Sequence, residues 1–474
     1  MGNIGFHAAF LAVFCGSAVV FDVLPCSSVN SVVNAFALAA STIGAVYLLY
    51  SALVAAVLVL GSPFWLVQML RLGKYRAGLK ERFGMVPRRV RTSRGPSIWV
   101  HAVSVGEVLA VSELVAELRR QLAGHRVVVS TTTLTGQRLA RERFGEENVF
   151  YFPLDLATTI QPYFDVLRPE LVVLAETEFW PNFLRLAKRN RAKVAVVNAR
   201  ISDRSLPRYT RFRGLLRPVL ENVDLFLGQS EEDARRLIEI GAVPARVQVS
   251  GNLKFDVRPP QHMPVVAQLR AALERGSGGP VLIAGSSVEG EEIIILNAFR
   301  AVLARHSKAI LLLAPRHKER FEAVADLMQG SGLKWWRRSS LDLANDALSG
   351  GVLLLDTIGE LASLYELSEI ALVCGSLVPR GGHNILEPAL HGAAILVGPH
   401  TENFRDIMNL FGRAKALRKV TGETLAATWL DLIENDKMRG ELGDRAQQVM
   451  REQMGATART LEALREMLSS EVSG

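Results

Sequence analysis

Several acidic and polar residues of this chain stand directly behind short apolar runs, where the end of a buried strand would deliver them to a site. Residues 101–107 (HAVSVGE), 131–136, 176–182 (ETEFWPN) and 198–200 form a first set. Glu107 follows Gly106 at a helix start, where the helix dipole favours a carboxylate anion. It is therefore expected to stay deprotonated and able to accept a proton. Glu176 and Glu178 flank Thr177 directly after the run VVLA, and charges entering at the end of a buried strand are usually paired or functional. The plainer readings are a first-turn charge for Glu107 and a helix cap for Glu178. Asn198 suits a tie between strand ends, and Arg200 shares its loop. Ser104, Arg138, Glu176, Glu178 and Arg200 are the candidates for an acceptor or cleft wall.

A second set suits a phosphate. It comprises 285–292 (GSSVEGEE), 314–318 (APRHK) and the stretch 374–404, CGSLVPRGGHNILEPALHGAAILVGPHTENF. In that stretch Gly375, Gly381 and Gly382 open a tight turn, and amides of such a loop and of a helix N-terminus bind anions. Asn384 is a good N-cap, with Glu387 three positions later. Glu387 either only caps the helix or accepts hydrogen bonds from ribose hydroxyls. Around Ser286, amides and hydroxyls can face an anion. Arg316 offers a planar, permanently charged donor fork, and Lys254 a point charge. No Asp-x-Asp pair stands at a strand end. A departing phosphate is thus expected to be neutralised by Arg, Lys and helix N-termini, with no metal and no cofactor.

The elements that must position these residues alternate. Strands are predicted at 98–100, 127–129, 171–174, 194–197 and 225–227, with helices at 108–122, 136–144, 180–187 and 231–240 between them. A second series has strands at 281–284, 310–313, 352–354, 370–373 and 394–397 and helices at 291–304, 319–327, 358–367 and 385–391. Such alternation implies parallel sheets covered on both faces, with ligands beyond the C-terminal strand ends. Residues 251–264 carry three prolines and read as a linker. The α/β chain therefore divides into a membrane-anchor region (1–70), a first Rossmann-like domain (71–250), the linker (251–264) and a second Rossmann-like domain (265–474), with ligands in the cleft between the two. Residues 437–468 are expected to form a charged helix that braces the domains.

Composition narrows the partners. The 474 residues carry a net charge of +8, and the segment 71–94 holds nine basic residues against one acidic residue, Glu81, so it accounts for the whole excess. A basic block behind an apolar segment points to an anionic membrane surface, not to nucleic acid. Residues 32–70 lack charged side chains, and a transmembrane helix needs about 20 apolar residues. Tyr47, Tyr50 and Trp65 are expected near the interfaces, and the flanking basic block puts the rest of the chain in the cytoplasm. Residues 4–24 are a second, weaker candidate span. The three cysteines, Cys15, Cys26 and Cys374, have neither disulfide-framework nor metal-ligand spacing.

Taken together, HAVSVGEV, TTTLTG, YFPLD, ETEFWPN, NARISDRS, GNLKFD, APRH, GSLVPRGGHNILEPA and GPHTENF, in this order, resemble the 3-deoxy-D-manno-octulosonic acid (Kdo) transferases of lipopolysaccharide assembly, which have the GT-B glycosyltransferase architecture. The resemblance runs from about Leu49 to the C-terminus. It implies metal-independent, inverting transfer of Kdo from CMP-Kdo to lipid IV-A, at the inner membrane. It implies Glu107 as general base, Lys254 and Arg316 on the CMP phosphate and donor carboxylate, and Asn384 and Glu387 on the CMP moiety. The chain departs from the family pattern at Ser287 and Val288, where Thr and His are frequent, and in the extra residues before Leu49. Two other readings predict different outcomes: a GT-B transferase or epimerase using a UDP-sugar, and a non-catalytic protein binding acidic lipids through 71–94.

Overall fold

The computed structural model describes residues 43–72, 77–91, 95–256 and 263–469. The chain forms two compact units, Met1–Asp256 with Met454–Gly474, and Val257–Gln453. The candidate span 4–24, residues 32–42, Cys15, Cys26, Lys74, Arg76 and Arg94 lie outside the described residues.

In the first unit, strands β1 (Ser97–His101), β2 (Arg126–Thr131), β3 (Val149–Tyr151), β4 (Pro169–Ala175), β5 (Lys193–Ala199), β6 (Leu225–Gly228) and β7 (Val247–Val249) form one sheet in the order β3-β2-β1-β4-β5-β6-β7. Every pairing is parallel. The β-branched runs of β2, β4 and β5 are buried throughout their centres, as a sheet covered by helices on both faces requires. Trp99 of β1 anchors one face, with Phe183 and Phe150 at 4.7 and 5.4 Å between ring centroids. Its indole donates to Ser130 Oγ at 2.7 Å. The strand order reverses between β1 and β4, and His101 pairs with Leu174. The loops after these two strands therefore emerge side by side, at the position where open α/β sheets bind ligands.

The second unit repeats the plan. Strands β8 (Val281–Ser287), β9 (Ile310–Pro315), β10 (Trp335–Arg337), β11 (Gly351–Leu354), β12 (Ile370–Val373), β13 (Ala394–Val397) and β14 (Arg418–Lys419) pair in the order β10-β11-β9-β8-β12-β13-β14. Again all neighbours are parallel. The reversal falls between β8 and β12. Gly285 pairs with Ala314 on one side and Val373 on the other, so the loops after β8, β9 and β12 leave at one level.

Several boundaries differ from the sequence reading. Residues 251–256 are not linker. Leu253 and Phe255 are buried in a 3-10 turn, and the Leu253 amide donates to Asn198 Oδ1 at 3.0 Å. The second domain does not run to 474, because the charged C-terminal segment breaks at Gly455, whose φ is +89°. The helix Asp436–Gln453 belongs to the second unit and the helix Ala456–Ser469 to the first. Asp256 fixes this return by accepting from the Gly455 amide at 2.6 Å and from the Thr457 amide.

The described residues of the anchor region form one helix, Ile43–Leu72. Among the described residues it alone is long and apolar enough to cross a membrane. Tyr47 and Tyr50, expected at an interface, are instead buried. Tyr47 lies beneath the Arg185 guanidinium, 4.5 Å from its ring centroid, and its hydroxyl accepts from Asn222 at 2.8 Å. Part of the basic block is also structural. Arg89 bridges to the buried Glu81 at 2.6 Å and donates to the Val149 carbonyl, and Arg82 donates to the Thr132 carbonyl.

Candidate active site

At the switch point of the first unit, Ser104 caps the helix Val105–Gln121, and its extended backbone turns β1 into that helix. The Ser104 hydroxyl donates to Glu107 Oε1 at 2.8 Å, and the Val103 amide donates to Glu107 Oε2 at 2.8 Å. Glu107 is thereby held rigidly and buried. Glu176 and Glu178 follow β4 in the adjacent loop. Glu176 adopts a φ of +56°, a conformation that a residue with a Cβ occupies only when its surroundings impose it. Its carboxylate meets Lys254 Nζ at 3.1 Å. The structure thus gathers Ser104, Glu107, Glu176, Glu178 and Lys254 in one unit.

The charge state of Glu107 corrects the expectation from the helix dipole. Burial, then the neighbouring charges of Glu178 and Glu176, push its carboxyl well above the ordinary range, against the opposing hydrogen bonds from Val103 and Ser104. Burial, with Glu176 beside it, likewise raises Glu178 to about 8. A dry cluster of carboxyl groups holds protons that a lone solvated carboxylate would release. Beneath them His101 stacks on Phe152 at 4.0 Å and bonds through Nδ1 to Ser130 Oγ at 2.9 Å. Burial lowers its pKa to about 3, so the ring is neutral.

Two of the proposed wall residues sit on other elements. Arg138 is exposed on the helix Leu134–Phe144 and acts electrostatically on Tyr151. Arg200, half-buried after β5, acts on Asp233. Asn198, at φ +53°, ties β5 to the turn that carries Lys254. Asp155 of the YFPLD motif was missed. It is buried and accepts from the amides of Asn182 and Phe183 at 3.0 and 2.8 Å, so it caps the helix Pro181–Arg189 that follows Glu178. The Asp that closes the quoted motif YFPLD was the available signal.

In the second unit the amides of the glycine loop are already occupied. The carboxylate of Glu291, at the start of the helix Glu291–Arg305, accepts from Gly375, Ser376 and Leu377 at 2.7, 3.0 and 2.9 Å. It also accepts from Val288 at 3.1 Å. This half of the loop binds an internal carboxylate where the sequence suggested a phosphate. The reading missed Glu291 because its partners lie 84 to 86 residues away. Gly375 is needed for another reason too, since a Cβ there would sit 2.6 Å from His383 Nε2.

Further along, His383, Asn384 and Glu387 are half-buried. The expected helix is shorter, Leu386–Leu390, and its N-cap is Ile385, not Asn384; Asn384, one position earlier, accepts from the Leu386 amide at 3.1 Å. Asn384 Nδ2 also donates to Glu387 Oε1 at 3.3 Å. Glu387 is raised by burial, with Asn384 and the Arg316 cation pulling the other way. His383 is lowered to about 4 by burial and by the charges of Arg316 and His317. Arg316 projects exposed after β9, its amide tied to the Ser287 carbonyl at 2.9 Å. Ser286 turns out of β8 at φ +62°. Arg316, His383, Asn384 and Glu387 thus form one electrostatic group, cationic at its exposed side.

Two doubly wound parallel units, each with its polar groups at a switch point, place the chain in the GT-B class of glycosyltransferase folds. UDP-N-acetylglucosamine 2-epimerase from Neisseria meningitidis shares the fold, with a TM-score of 0.51 and 12% identity over 78% of this chain and 100% of that one. Residues 77–257 match the family described as 3-deoxy-D-manno-octulosonic-acid transferase (kdotransferase). The 3-deoxy-D-manno-octulosonic acid transferase of Haemophilus influenzae is 33% identical over 84% of this chain and 93% of its own length. That of Bordetella pertussis is 33% identical over the same shares. The chain belongs to the 3-deoxy-D-manno-octulosonic acid transferase family.

Proposed function

We propose that the chain transfers Kdo from CMP-Kdo to lipid IV-A, with inversion and without a metal, on the cytoplasmic face of the inner membrane. The observation that carries the reading is the Glu107 carboxylate, fixed by Ser104 and Val103 at the switch point of the first sheet. Family membership supplies the sugar.

In this reading the deprotonated fraction of Glu107 takes the proton of an acceptor sugar hydroxyl. The acceptor oxygen forms a bond to the anomeric carbon of Kdo as the bond from that carbon to the phosphate oxygen of CMP breaks, and the proton stays on Glu107. Its raised pKa makes Glu107 a stronger base than an ordinary carboxylate, at the expense of being ionised in fewer molecules. Arg316 and Lys254 stabilise the departing phosphate and the donor carboxylate by fixed positive charge. Asn384 and Glu387 contact the CMP moiety and Ser286 the donor. Ser104, Arg138, Glu176, Glu178 and Arg200 serve the acceptor.

The test is mass analysis of lipid IV-A after incubation with CMP-Kdo and the purified protein, alongside Glu107→Ala. Product heavier by one or more Kdo units is expected from the natural sequence. The variant is expected to give none while still binding CMP-Kdo. Turnover by Glu107→Ala would remove Glu107 as the base, and an unmodified acceptor with the natural sequence would remove the reaction itself.

A further inference from the structure

We propose that Arg82, Arg138 and Arg141, gathered around Tyr151, form a subsite for a phosphate monoester carried by the acceptor sugar. The inference rests on the acceptor reading given above, and its test separates the two.

Tyr151 closes β3 and pairs with Thr131, which closes β2. Both stand at the C-terminal strand ends, where β1 also hands over to the Glu107 turn. The helices Leu79–Arg82 and Leu134–Phe144 pack against β3. The first brings the Arg82 guanidinium over the Tyr151 ring, 4.7 Å from its centroid. The second carries Arg138 and Arg141, three residues apart and so on one face of the helix. All three cations act on the Tyr151 phenol and oppose the effect of its burial. Among the described residues neither Arg82 nor Arg138 forms an ion pair, and Arg141 meets Glu146 only at 3.6 Å. Arg82 uses one of its five N–H donors on the Thr132 carbonyl. The buried Arg141 Nε has no hydrogen-bond partner. The buried Glu81 is already taken, by Arg89 at 2.6 Å and by the Tyr151 amide at 2.7 Å. Guanidinium groups gathered without matching carboxylates suit a dianion, and their planar forks bind phosphate oxygens bidentately.

The cluster is tied to the proposed base. The amides of Thr132 and Thr133 donate to the Val103 carbonyl at 3.2 and 3.1 Å, and the Val103 amide in turn holds Glu107. Arg82 grips the same turn through the Thr132 carbonyl. In the sheet β3 lies two strands from β1, a spacing of about 10 Å, which linked sugar rings bridge. A hydroxyl at Glu107 and a phosphate at the arginines can thus belong to one headgroup.

The test compares lipid IV-A with the same lipid stripped of phosphate by a phosphatase. Both are presented to the full chain in detergent micelles, and equilibrium binding and transfer are measured. The natural sequence is expected to bind the stripped lipid on the order of tenfold more weakly. Arg138→Ala combined with Arg141→Ala is expected to weaken binding of intact lipid by a similar factor and to leave binding of stripped lipid unchanged. In transfer, the acceptor KM of this variant rises while the KM for CMP-Kdo does not. Equal binding of the two lipids by the natural sequence would overturn the inference, whatever becomes of turnover. So would an equal loss of both lipids in the variant. Micelles doped with phosphatidylglycerol, a phosphodiester, distinguish the other source of phosphate. If they displace intact lipid IV-A from the natural sequence but not from the variant, the cluster binds membrane phospholipid and the inference fails. Absence of transfer with the expected binding pattern would remove the transfer reading and leave the subsite standing.

Discussion

Lys254 Nζ lies 3.1 Å from Glu176 Oε1, each side chain roughly a third exposed. The contact joins the turn after β7 to the left-handed residue after β4. It sets a cation against a group of carboxyl groups whose two buried members, Glu107 and Glu178, are both raised. The protonation of Glu107 is therefore adjustable from either side of the cluster, and the two adjustments have opposite signs.

Glu178→Gln removes a negative neighbour from Glu107. A carboxyl group relieved of a like charge ionises more readily, so its pKa falls. The acidic limb of the pH profile of kcat/KM is expected to move to lower pH, by up to about one unit. Activity below neutrality should rise relative to the natural sequence even if the maximum is reduced. The measurement is initial rate against pH at limiting donor. An unmoved acidic limb would show that Glu178 does not govern the base.

Lys254→Ala acts in the other direction. Removing the cation beside Glu176 leaves the cluster more negative, so Glu107 is raised further and the acidic limb moves to higher pH. On the proposed role of Lys254 at the donor phosphate, kcat/KM is expected to fall on the order of 100-fold. Lys254→Arg keeps the charge and should restore the limb before it restores the rate. A drop in rate with no shift of the limb would confine Lys254 to the donor.

The central strands of both sheets were legible because each is an apolar run bounded by polar loops. The four strands that were not, β3, β7, β10 and β14, are the sheet edges. They are two or three residues long, and β7, β10 and β14 are only partly covered, so no buried run marks those three in the chain, whereas β3 is buried but only three residues long. The placement of Glu107, Glu176, Arg316, Asn384 and Glu387 behind strands was legible because each closely follows an apolar run or its loop. The occupancy of the glycine-loop amides by Glu291 was not, since it depends on a contact across β8 and β12. Nor was the protonation of Glu107, because a helix dipole is a local property whereas burial beside two carboxyl groups is a property of the fold. The packing of Tyr47 and Tyr50 was hidden in the same way, since aromatic residues at a helix end suit a bilayer interface and a protein surface equally.

Glu291→Ala is expected to destabilise the second unit. Its carboxylate satisfies four backbone amides, and each buried donor left unpaired costs about 1–3 kcal/mol. Partial hydration offsets some of this, so a net loss of about 3 kcal/mol or more is expected in denaturant titration. Glu291→Gln keeps one acceptor oxygen and should lose less. CMP affinity should fall with stability, because His383–Glu387 hangs from the loop that Glu291 organises. Full affinity in a destabilised Glu291→Ala protein would show that the nucleotide contacts are held independently of the loop.

Asp155 supplies a prediction in which pH sets the size of the effect. Burial raises its pKa to about 6, against the opposing hydrogen bonds from Asn182, Tyr50 and Phe183, whereas an unfolded Asp titrates near 3.9. Between these values the native state binds the proton more tightly. The contribution of Asp155 to stability is therefore full at pH values below its unfolded pKa and declines as pH rises through about 6. Asp155→Asn has no such dependence. The variant should therefore be more destabilised relative to the natural sequence at pH 5 than at pH 7, by about 1.4 kcal/mol. Paired urea titrations at the two pH values, followed by tryptophan fluorescence, measure that difference, and contributions from other titrating groups cancel in it. Equal destabilisation at both values would mean that Asp155 is ionised throughout, held by the two amides at the start of Pro181–Arg189 strongly enough to overcome its burial.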